Sequence, residues 1–310
     1  MTSSLNPFAH WNYLPKTVLD KLFSNATPPI IELVSSPSAY HPSGAGKTSL
    51  LYLIIAHATL SREFSSAVSL GGHEAAVVLF DPLHHFSVPR LAQTLLQLIV
   101  SKIGADNDEA TKSDIRSMVA RSLLHVHIFR PQSWSSLLTT LRTLPDHLFD
   151  KSRHKSIHRR IHSIIMDDID AFVWSIRNSQ PPDPIATSNT ALATASTNLA
   201  STLQQLSTLL SCAMILTCQS TSPSSFRPAL PMSWPQGLTV TRLAVRRVEV
   251  LKFAPAISVE EAEAEKAQRW EVVQNGRFEC FKVGVGVRDN EGFVFRVTQV
   301  GIDVEEAQEK

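Results

Sequence analysis

The segment Gly44-Ala45-Gly46-Lys47-Thr48 constrains the fold most, because its residue types suit a loop that encloses phosphate. It follows the apolar run Ile30–Val34 and precedes the apolar helical pattern Leu50–Leu60. Glycines let backbone N–H groups surround phosphate oxygens, a lysine neutralises the β- and γ-phosphates, and a threonine hydroxyl binds Mg²⁺. The sequence therefore predicts a strand, a phosphate loop and a helix that hold ATP with Mg²⁺. The predicted nucleotide-binding residues are Gly44, Ala45, Gly46, Lys47, Thr48 and Ser49.

The predicted loop departs from the usual motif at its first glycine. The pattern G-x-x-x-x-G-K-[ST] places that glycine at position 41, where this chain has His41. A side chain with a Cβ is disfavoured in such a tight turn. We therefore expect His41 to weaken nucleotide binding, and the connection 35–43 is also long for this motif.

Composition excludes several classes of protein. The 310 residues include 29 lysines and arginines against 28 acidic residues, so no global basic field attracts nucleic acid or a membrane, and such binding must be local. The three cysteines cannot all pair and show no C-x-x-C spacing, which favours a reducing compartment without structural zinc. No apolar run approaches the roughly 20 residues that span a bilayer, so we expect a soluble intracellular protein without a membrane partner.

Apolar runs alternate with longer segments of helical periodicity, which predicts an α/β fold with a mainly parallel sheet flanked by helices. Pro145 is expected to end or bend one of these helices. The predicted strands are Ile30–Val34, Ala76–Phe80, His125–Phe129, Ile161–Met166 and Ala213–Thr217. After Leu50–Leu60, the predicted helices are Val88–Ile103, Glu109–Leu124, Trp134–Leu144 and Ala191–Leu210.

From Leu238 onward the pattern changes to alternating polar and apolar residues, which predicts an antiparallel extension of the sheet. The expected domain organisation is a short helical segment over 1–29, one ATPase domain over 30–303 and a tail over 304–310. The predicted antiparallel strands are Leu238–Val250, Arg277–Val287 and Phe293–Val300.

Asp167 follows the buried strand Ile161–Met166, where a phosphate-loop protein needs the carboxylate that orients Mg²⁺. Together with Thr48 it forms the predicted Mg²⁺ site. The alternative is an ordinary aspartate in a turn after a strand. Asp168 and Asp170 are weaker candidates for the same role.

Two further strand ends carry polar side chains with candidate catalytic roles. Gln219 follows the strand Ala213–Thr217 by two residues and is a candidate sensor of the γ-phosphate, although glutamine is common at strand ends. Asp81 follows Ala76–Phe80 and is a candidate for orienting or activating water. Its alternative role is to cap the following turn, which Pro82 favours.

Two clusters have competing interpretations. His125 and His127 point to the same face of a strand, but a metal site needs more ligands, so solvated or core histidines are the alternative. The segment Lys151–Arg160 is strongly basic and suits nucleic acid or a nuclear-localisation signal. A solvated connecting loop is the alternative for that segment.

In their order along the chain, these segments resemble the RecA-type recombinase paralogue family. The resemblance covers most of the chain, although the phosphate loop is shared by many ATPases. It is carried by Ile31–Val34, Pro42–Thr48, Val78–Asp81 with His85-Phe86, Ile164–Asp167 with Ala171–Trp174, Thr217–Gln219 and Phe293–Val297.

The resemblance implies a RecA-like P-loop NTPase core in the nucleus, within a complex of recombinase-paralogue subunits that serves homologous recombination. It places the loops Ser175–Thr187 and Ser220–Gly237 toward DNA, where Arg177 and Arg227 are their basic residues. DNA binding by these loops should therefore be weak.

Where RecA-type enzymes carry their catalytic glutamate, this chain has Leu83, which cannot activate water. We therefore expect an accessory subunit that binds ATP with little hydrolysis. The alternatives are an active DNA-dependent ATPase or recombinase that uses Asp81, and an unrelated P-loop ATPase or kinase.

Overall fold

The computed structural model of the chain describes residues 28–36, 45–65, 68–104, 108–178, 188–222, 226–248, 258–263, 266, 270, 276–284, 292–299 and 301–305. The expected helical segment over 1–29 lies almost entirely outside these residues. His41 and Gly44 also lie outside them.

Within the described residues, nine strands form one sheet in the order β11-β10-β9-β8-β1-β7-β6-β4-β5. The six strands from β8 to β5 run parallel, which confirms the mainly parallel sheet. The strands of this sheet are β1 (Ile30–Ser35), β4 (Ala76–Phe80), β5 (Val126–Phe129), β6 (Ile161–Met166), β7 (Ala213–Gln219), β8 (Val240–Arg247), β9 (Arg277–Lys282), β10 (Gly292–Val297) and β11 (Ile302–Glu305). A separate antiparallel pair consists of β2 (Glu63–Phe64) and β3 (Val68–Ser69).

Helices connect and cover the parallel strands. Pro145 was expected to end or bend one of them, and because that helix continues to Phe149 the proline does not end it. A 3₁₀ turn, Ile169–Phe172, follows β6. The helices are α1 (Lys47–Thr59), α2 (Val88–Ile103), α3 (Glu109–Leu123), α4 (Trp134–Phe149), α5 (Val173–Asn178) and α6 (Ser188–Leu210).

The core lies on both faces of the sheet, because successive side chains along a strand point to opposite faces. In β4, Val77 and Leu79 pack with α1, α2 and α3, whereas Val78 and Phe80 pack with α4 and α6. All four side chains are fully buried. Continuous apolar strands are therefore the pattern that a sheet covered on both faces requires.

The C-terminal strands form the antiparallel extension, with one correction to its starting point. β8 pairs in parallel with β1 on one side and antiparallel with β9 on the other, so the antiparallel part begins at β9. β11 was not predicted, and it runs across the expected boundary between residues 303 and 304.

A buried charge fixes β8 beside β1. The carboxylate of Glu32, in the middle of β1, accepts hydrogen bonds from Trp234 Nε1 at 2.7 Å and from Arg242 Nε at 2.8 Å. Glu32 is almost fully buried, and a buried carboxylate without such partners is costly. The ion pair therefore favours this pairing of β8 over alternatives.

Candidate functional site

The helix that follows β1 begins at a glycine in the left-handed conformation. Gly46 has φ 86°, which favours a residue without a Cβ. A Cβ at this position would lie 2.8 Å from the Phe278 ring and 3.1 Å from Phe295. Ala45 precedes this turn and Ser49 lies in the first turn of α1, both partly exposed. The positive φ of Gly46 and the rings of Phe278 in β9 and Phe295 in β10 therefore both disfavour a larger residue at this position.

Lys47 is the first residue of α1, and its side chain turns toward the end of β1. Its Nζ donates a hydrogen bond to Ser35 Oγ at 2.8 Å and lies 4.0 Å from Asp168 Oδ1. The lysine is buried. A buried ammonium group needs such partners, and phosphate oxygens would be stronger ones.

Thr48 and Asp167 meet although 119 residues separate them in the chain. The Thr48 hydroxyl lies 3.4 Å from Asp167 Oδ2, at the long limit of a hydrogen bond. The Thr217 hydroxyl of β7 donates to Asp167 Oδ1 at 2.6 Å and accepts from the Asp168 N–H at 2.8 Å. The two residues predicted to hold Mg²⁺ therefore lie together at the carboxyl edge of the sheet.

The environment of Asp167 perturbs its ionisation. Burial raises the pKa of this carboxyl to about 6, and the nearby charge of Asp168 acts in the same direction. Thr217 and Lys47 oppose the shift. A carboxylate with such a pKa is stabilised by a cation placed against it, as a Mg²⁺ ligand would be.

Asp168 connects the lysine to a histidine. It has φ 50°, an uncommon backbone conformation for a residue other than glycine. Its Oδ2 lies 3.2 Å from Nδ1 of His85, whose side chain is 58% exposed. A carboxylate accepts hydrogen bonds, so this contact places the imidazole proton on Nδ1.

Gln219 ends β7 directly beside Ser35, its partner in the parallel register. Its side chain is exposed, and its backbone N–H donates to Asp170 Oδ2 at 2.9 Å. Burial raises the pKa of Asp170. The candidate γ-phosphate sensor therefore stands next to the hydroxyl that holds Lys47.

A catalytic base must reach water or substrate, whereas Asp81 is buried and already bound to other groups of the protein. Its carboxylate, only 1% exposed, accepts the N–H groups of His85 at 2.8 Å and Phe86 at 3.3 Å. It also pairs with Arg130 Nε at 3.3 Å. These contacts cap the turn after β4, the alternative role considered for Asp81, and leave the carboxylate little access to water.

The two arginines expected to face DNA both follow strands that end at the same edge. The Arg177 guanidinium lies 5.4 Å from the centroid of the Trp174 ring, which is 71% exposed. Arg227 is exposed in the loop after β7. Arg177 lies on α5, so the predicted loop Ser175–Thr187 begins no earlier than residue 179. Residues 179–187 and 223–225 lie outside the described part of the chain.

The oxygen ligands at this edge suit a small hard cation that is shared with phosphate. Mg²⁺ is commonly bound by one or two protein oxygens together with substrate phosphates, so Thr48 and Asp167 fit this chemistry. In the part of the chain that the structure describes, no group of three or more histidine, cysteine or carboxylate side chains is arranged to hold a metal ion. Over the same residues, no helix combines the length and apolarity needed to cross a membrane.

Comparisons with known proteins add no family assignment. No protein-family model matches the chain, and no curated protein sequence matches it. The resemblance to RecA-type recombinase paralogues therefore stays a prediction.

Three residues of this arrangement were not predicted from the sequence to belong to the site. Ser35 and Thr217 bind Lys47 and Asp167, and His85 contacts Asp168. Each lies at or just beyond the carboxyl end of a predicted strand, where side chains from different strands converge. A search for every polar residue at these strand ends would have found all three.

Proposed function

We propose that this protein binds ATP with Mg²⁺ at the carboxyl edge of β1, β6 and β7. The contact between Thr48 and Asp167 carries the proposal, because it joins the first turn of α1 to a carboxylate from a distant strand. Such a pair is what a phosphate-loop protein uses to hold its metal. The buried Lys47, 4.0 Å from Asp168, supports the same assignment.

In this proposal each residue has a separate task. Lys47 binds the β- and γ-phosphates after leaving Ser35, and the N–H groups at the start of α1 bind phosphate oxygens. Thr48 and Asp167 hold Mg²⁺, which neutralises phosphate charge when bound. Gln219, which ends β7 beside Ser35, is assigned the contact with the γ-phosphate that would distinguish ATP from ADP.

The side chains near the site favour binding over rapid hydrolysis. Leu83, at the position of the catalytic glutamate in RecA-type enzymes, is 45% exposed and has no group that accepts a proton. The Asp81 carboxylate already forms an ion pair with Arg130 and accepts a hydrogen bond from the backbone N–H of His85. The rival function, an active ATPase that uses Asp81, would require this carboxylate to exchange its present partners for water.

For the biological role, we propose a RecA-like core that acts as an accessory subunit in homologous recombination. The support is the order of the segments along the chain and their resemblance to RecA-type recombinase paralogues. In this role the protein acts in the nucleus through paralogue subunits, and Arg177 and Arg227 add weak contacts to DNA. An unrelated P-loop ATPase or kinase is the other candidate, favoured only by the generality of the phosphate loop.

Steady-state ATP turnover, with and without single-stranded DNA, separates these functions. The accessory-subunit proposal predicts saturable binding of ATP that Lys47→Ala abolishes, with turnover far below one per second. Turnover of roughly one per second that Lys47→Ala removes would contradict it. A pull-down from nuclear extract, analysed by mass spectrometry, should recover recombination proteins, and their absence would argue against the assignment to a paralogue complex.

A further inference from the structure

The basic segment before β6 lies at the opposite edge of the sheet from the nucleotide site. It connects the end of α4 to the first residue of β6, so it stands at the amino-terminal edge. The six residues of β6 separate the two edges by roughly 20 Å. Residues 150–160 contain five lysines and arginines and one acid, Asp150, within a chain whose formal charge is only +1.

The segment is held in one conformation by a buried hydroxyl. Ser156 Oγ lies 2.9 Å from Nδ1 of His125 and 2.9 Å from Nε2 of His127. One hydroxyl proton cannot serve both rings, so Ser156 donates to one imidazole and accepts from the other. Burial lowers the pKa of both histidines to about 4, so both rings are neutral at pH 7.

His154 attaches the same segment to the end of α4. Its Nδ1 accepts the N–H of Ser156 at 3.0 Å, so the ring proton is on Nε2. That Nε2 lies 3.0 Å from the Leu148 carbonyl oxygen and 3.2 Å from that of His147. These are carbonyl groups that a helix end leaves unpaired. The basic residues therefore project from a preformed loop, which lowers the entropic cost of binding.

An open pocket of about 320 Å³ lies in this segment. Arg153 is paired with Asp150 at 2.9 Å, whereas no acidic group of the described residues lies within 4 Å of Lys151 or Lys155. The pocket thus exposes two ammonium groups without a counter-charge. Its lining residues are Leu124, His127, Lys151, Ser152, Arg153, His154 and Lys155.

The segment also carries Arg159 and Arg160. Arg160 is exposed, whereas Arg159 donates a hydrogen bond to the carbonyl oxygen of Thr59 at 3.0 Å. Burial lowers the pKa of Arg159, the charge of Glu74 raises it, and that of Arg121 in α3 lowers it. The charged groups that act on Arg159 are therefore of both signs.

We propose that the pocket around Lys151 and Lys155 binds the phosphate backbone of nucleic acid. The metal site considered for His125 and His127 is disfavoured, since both rings are bound to Ser156. Spaced ammonium groups on a rigid loop suit a chain of phosphates, which they bind without regard to base sequence. The inference does not depend on the nucleotide site, because none of its residues lies at the carboxyl edge.

Binding of a labelled single-stranded oligonucleotide, followed by fluorescence anisotropy at several salt concentrations, tests the proposal. The variant Lys151→Glu/Lys155→Glu should bind at least about tenfold more weakly, and the slope of log K against log salt should become shallower by about 1.4, which is about 0.7 for each lost contact with a single strand. The matched control is Lys112→Glu/Arg116→Glu, which makes the same charge change on the exposed face of α3. This control should change oligonucleotide binding less than about twofold, because charges far from the pocket act on the bound strand only through screened long-range interactions.

A second variant tests the preformed loop without changing charge. Ser156→Ala removes the hydroxyl that joins His125 and His127, and we expect binding to weaken by about threefold to tenfold while the salt slope is kept. Thermal unfolding monitors whether each variant folds.

Three results would overturn the proposal. One is oligonucleotide binding that Lys151→Glu/Lys155→Glu leaves unchanged, and another is the absence of binding by the unaltered protein at low salt. The third is a loss of oligonucleotide binding in Arg177→Glu/Arg227→Glu that does not occur in Lys151→Glu/Lys155→Glu. If vesicles that contain phosphatidylserine bind in a manner dependent on the two lysines while oligonucleotides do not, the pocket is a membrane-surface site and the nucleic-acid proposal is wrong.

Discussion

The Nζ of Lys47 lies 2.8 Å from the Oγ of Ser35, so the lysine that begins α1 is bound to the end of β1. In the nucleotide complex that we propose, this lysine must exchange a serine hydroxyl for phosphate oxygens. Ser35 therefore competes with the nucleotide for the same ammonium group.

Ser35→Ala should bind ATP about threefold to tenfold more tightly than the unaltered protein, because one hydrogen bond no longer has to be broken. Isothermal titration calorimetry with a slowly hydrolysed ATP analogue measures the change. Thr59→Ala, which removes a buried hydroxyl that donates to Ile55 within α1, is the control. Weaker binding by Ser35→Ala would show that the serine contacts the nucleotide directly.

Asp167→Asn should remove the dependence of nucleotide affinity on Mg²⁺. An amide oxygen still accepts the Thr217 hydroxyl, so the local structure is kept, but the ligand loses its charge. Dissociation constants measured with Mg²⁺ and with a chelator should differ for the unaltered protein and converge in the variant. Asp146→Asn on α4, outside the site, should leave the difference intact, and a variant that still responds to Mg²⁺ would remove Asp167 from the metal site.

Gly46→Ala should destabilise the protein more than Gly71→Ala. Both glycines have positive φ, 86° and 74°, so each substitution costs about 1–2 kcal/mol in backbone strain. Only at Gly46 does the new Cβ meet a side chain, the Phe278 ring at 2.8 Å, whereas nothing lies within 4 Å at Gly71. Urea unfolding gives the loss in free energy of unfolding for each variant, and the difference between the two losses measures the effect of the contact.

Combining Gly46→Ala with Phe278→Leu extends this test. The smaller side chain should recover part of the lost free energy of unfolding if the contact is responsible. Equal losses for the two single alanine variants would mean that the aromatic rings of β9 and β10 do not restrict the loop.

Acid should destabilise the protein partly through His162, a buried residue of β6 whose ring stacks 5.5 Å from His73. Burial lowers its pKa from 6.5 to about 3, so the unfolded chain binds a proton at a higher pH than the folded one. This contribution to stability is complete above pH 6.5 and is lost as the pH falls toward 3. A shift of this size corresponds to about 5 kcal/mol at most.

His162→Gln should therefore lose less free energy of unfolding between pH 7 and pH 4 than the unaltered protein. Urea unfolding at a series of pH values measures the difference, whatever the effect of the substitution at pH 7. The exposed His158→Gln is the control. An unchanged pH dependence in His162→Gln would assign the acid sensitivity to other groups.

Strand positions were predictable where burial alone determines them. β4 and β6 have the predicted bounds, because a strand covered on both faces must be apolar throughout. The direction of β8 was not predictable, since alternation describes the faces of a strand and says nothing about which way its neighbour runs. The ion pair of Glu32 with Arg242, which joins β8 to β1, depends on contacts between residues far apart in sequence.

In the candidate site, too, some residues were predictable from the sequence and others were not. Lys47, Thr48 and Asp167 were identified because phosphate and Mg²⁺ chemistry favours those residue types at the start of the helix after β1 and at the end of a buried strand. The role of Thr217 as the hydroxyl that joins Asp167 to Asp168 was not predictable, because it depends on β7 lying beside β6. For Asp81 the sequence left two roles open, and only the contacts with Arg130 and His85 distinguish them.

The contact of Gly46 with Phe278 and Phe295 has a consequence for the order of events during protein synthesis. About 230 residues separate Gly46 from Phe278, so a ribosome completes β1 and α1 long before it adds the rings that close over them. Until then the turn at Gly46, which precedes α1, lacks the aromatic rings that border it in the complete fold. The start of α1 therefore acquires its final packing only after the C-terminal strands have been made.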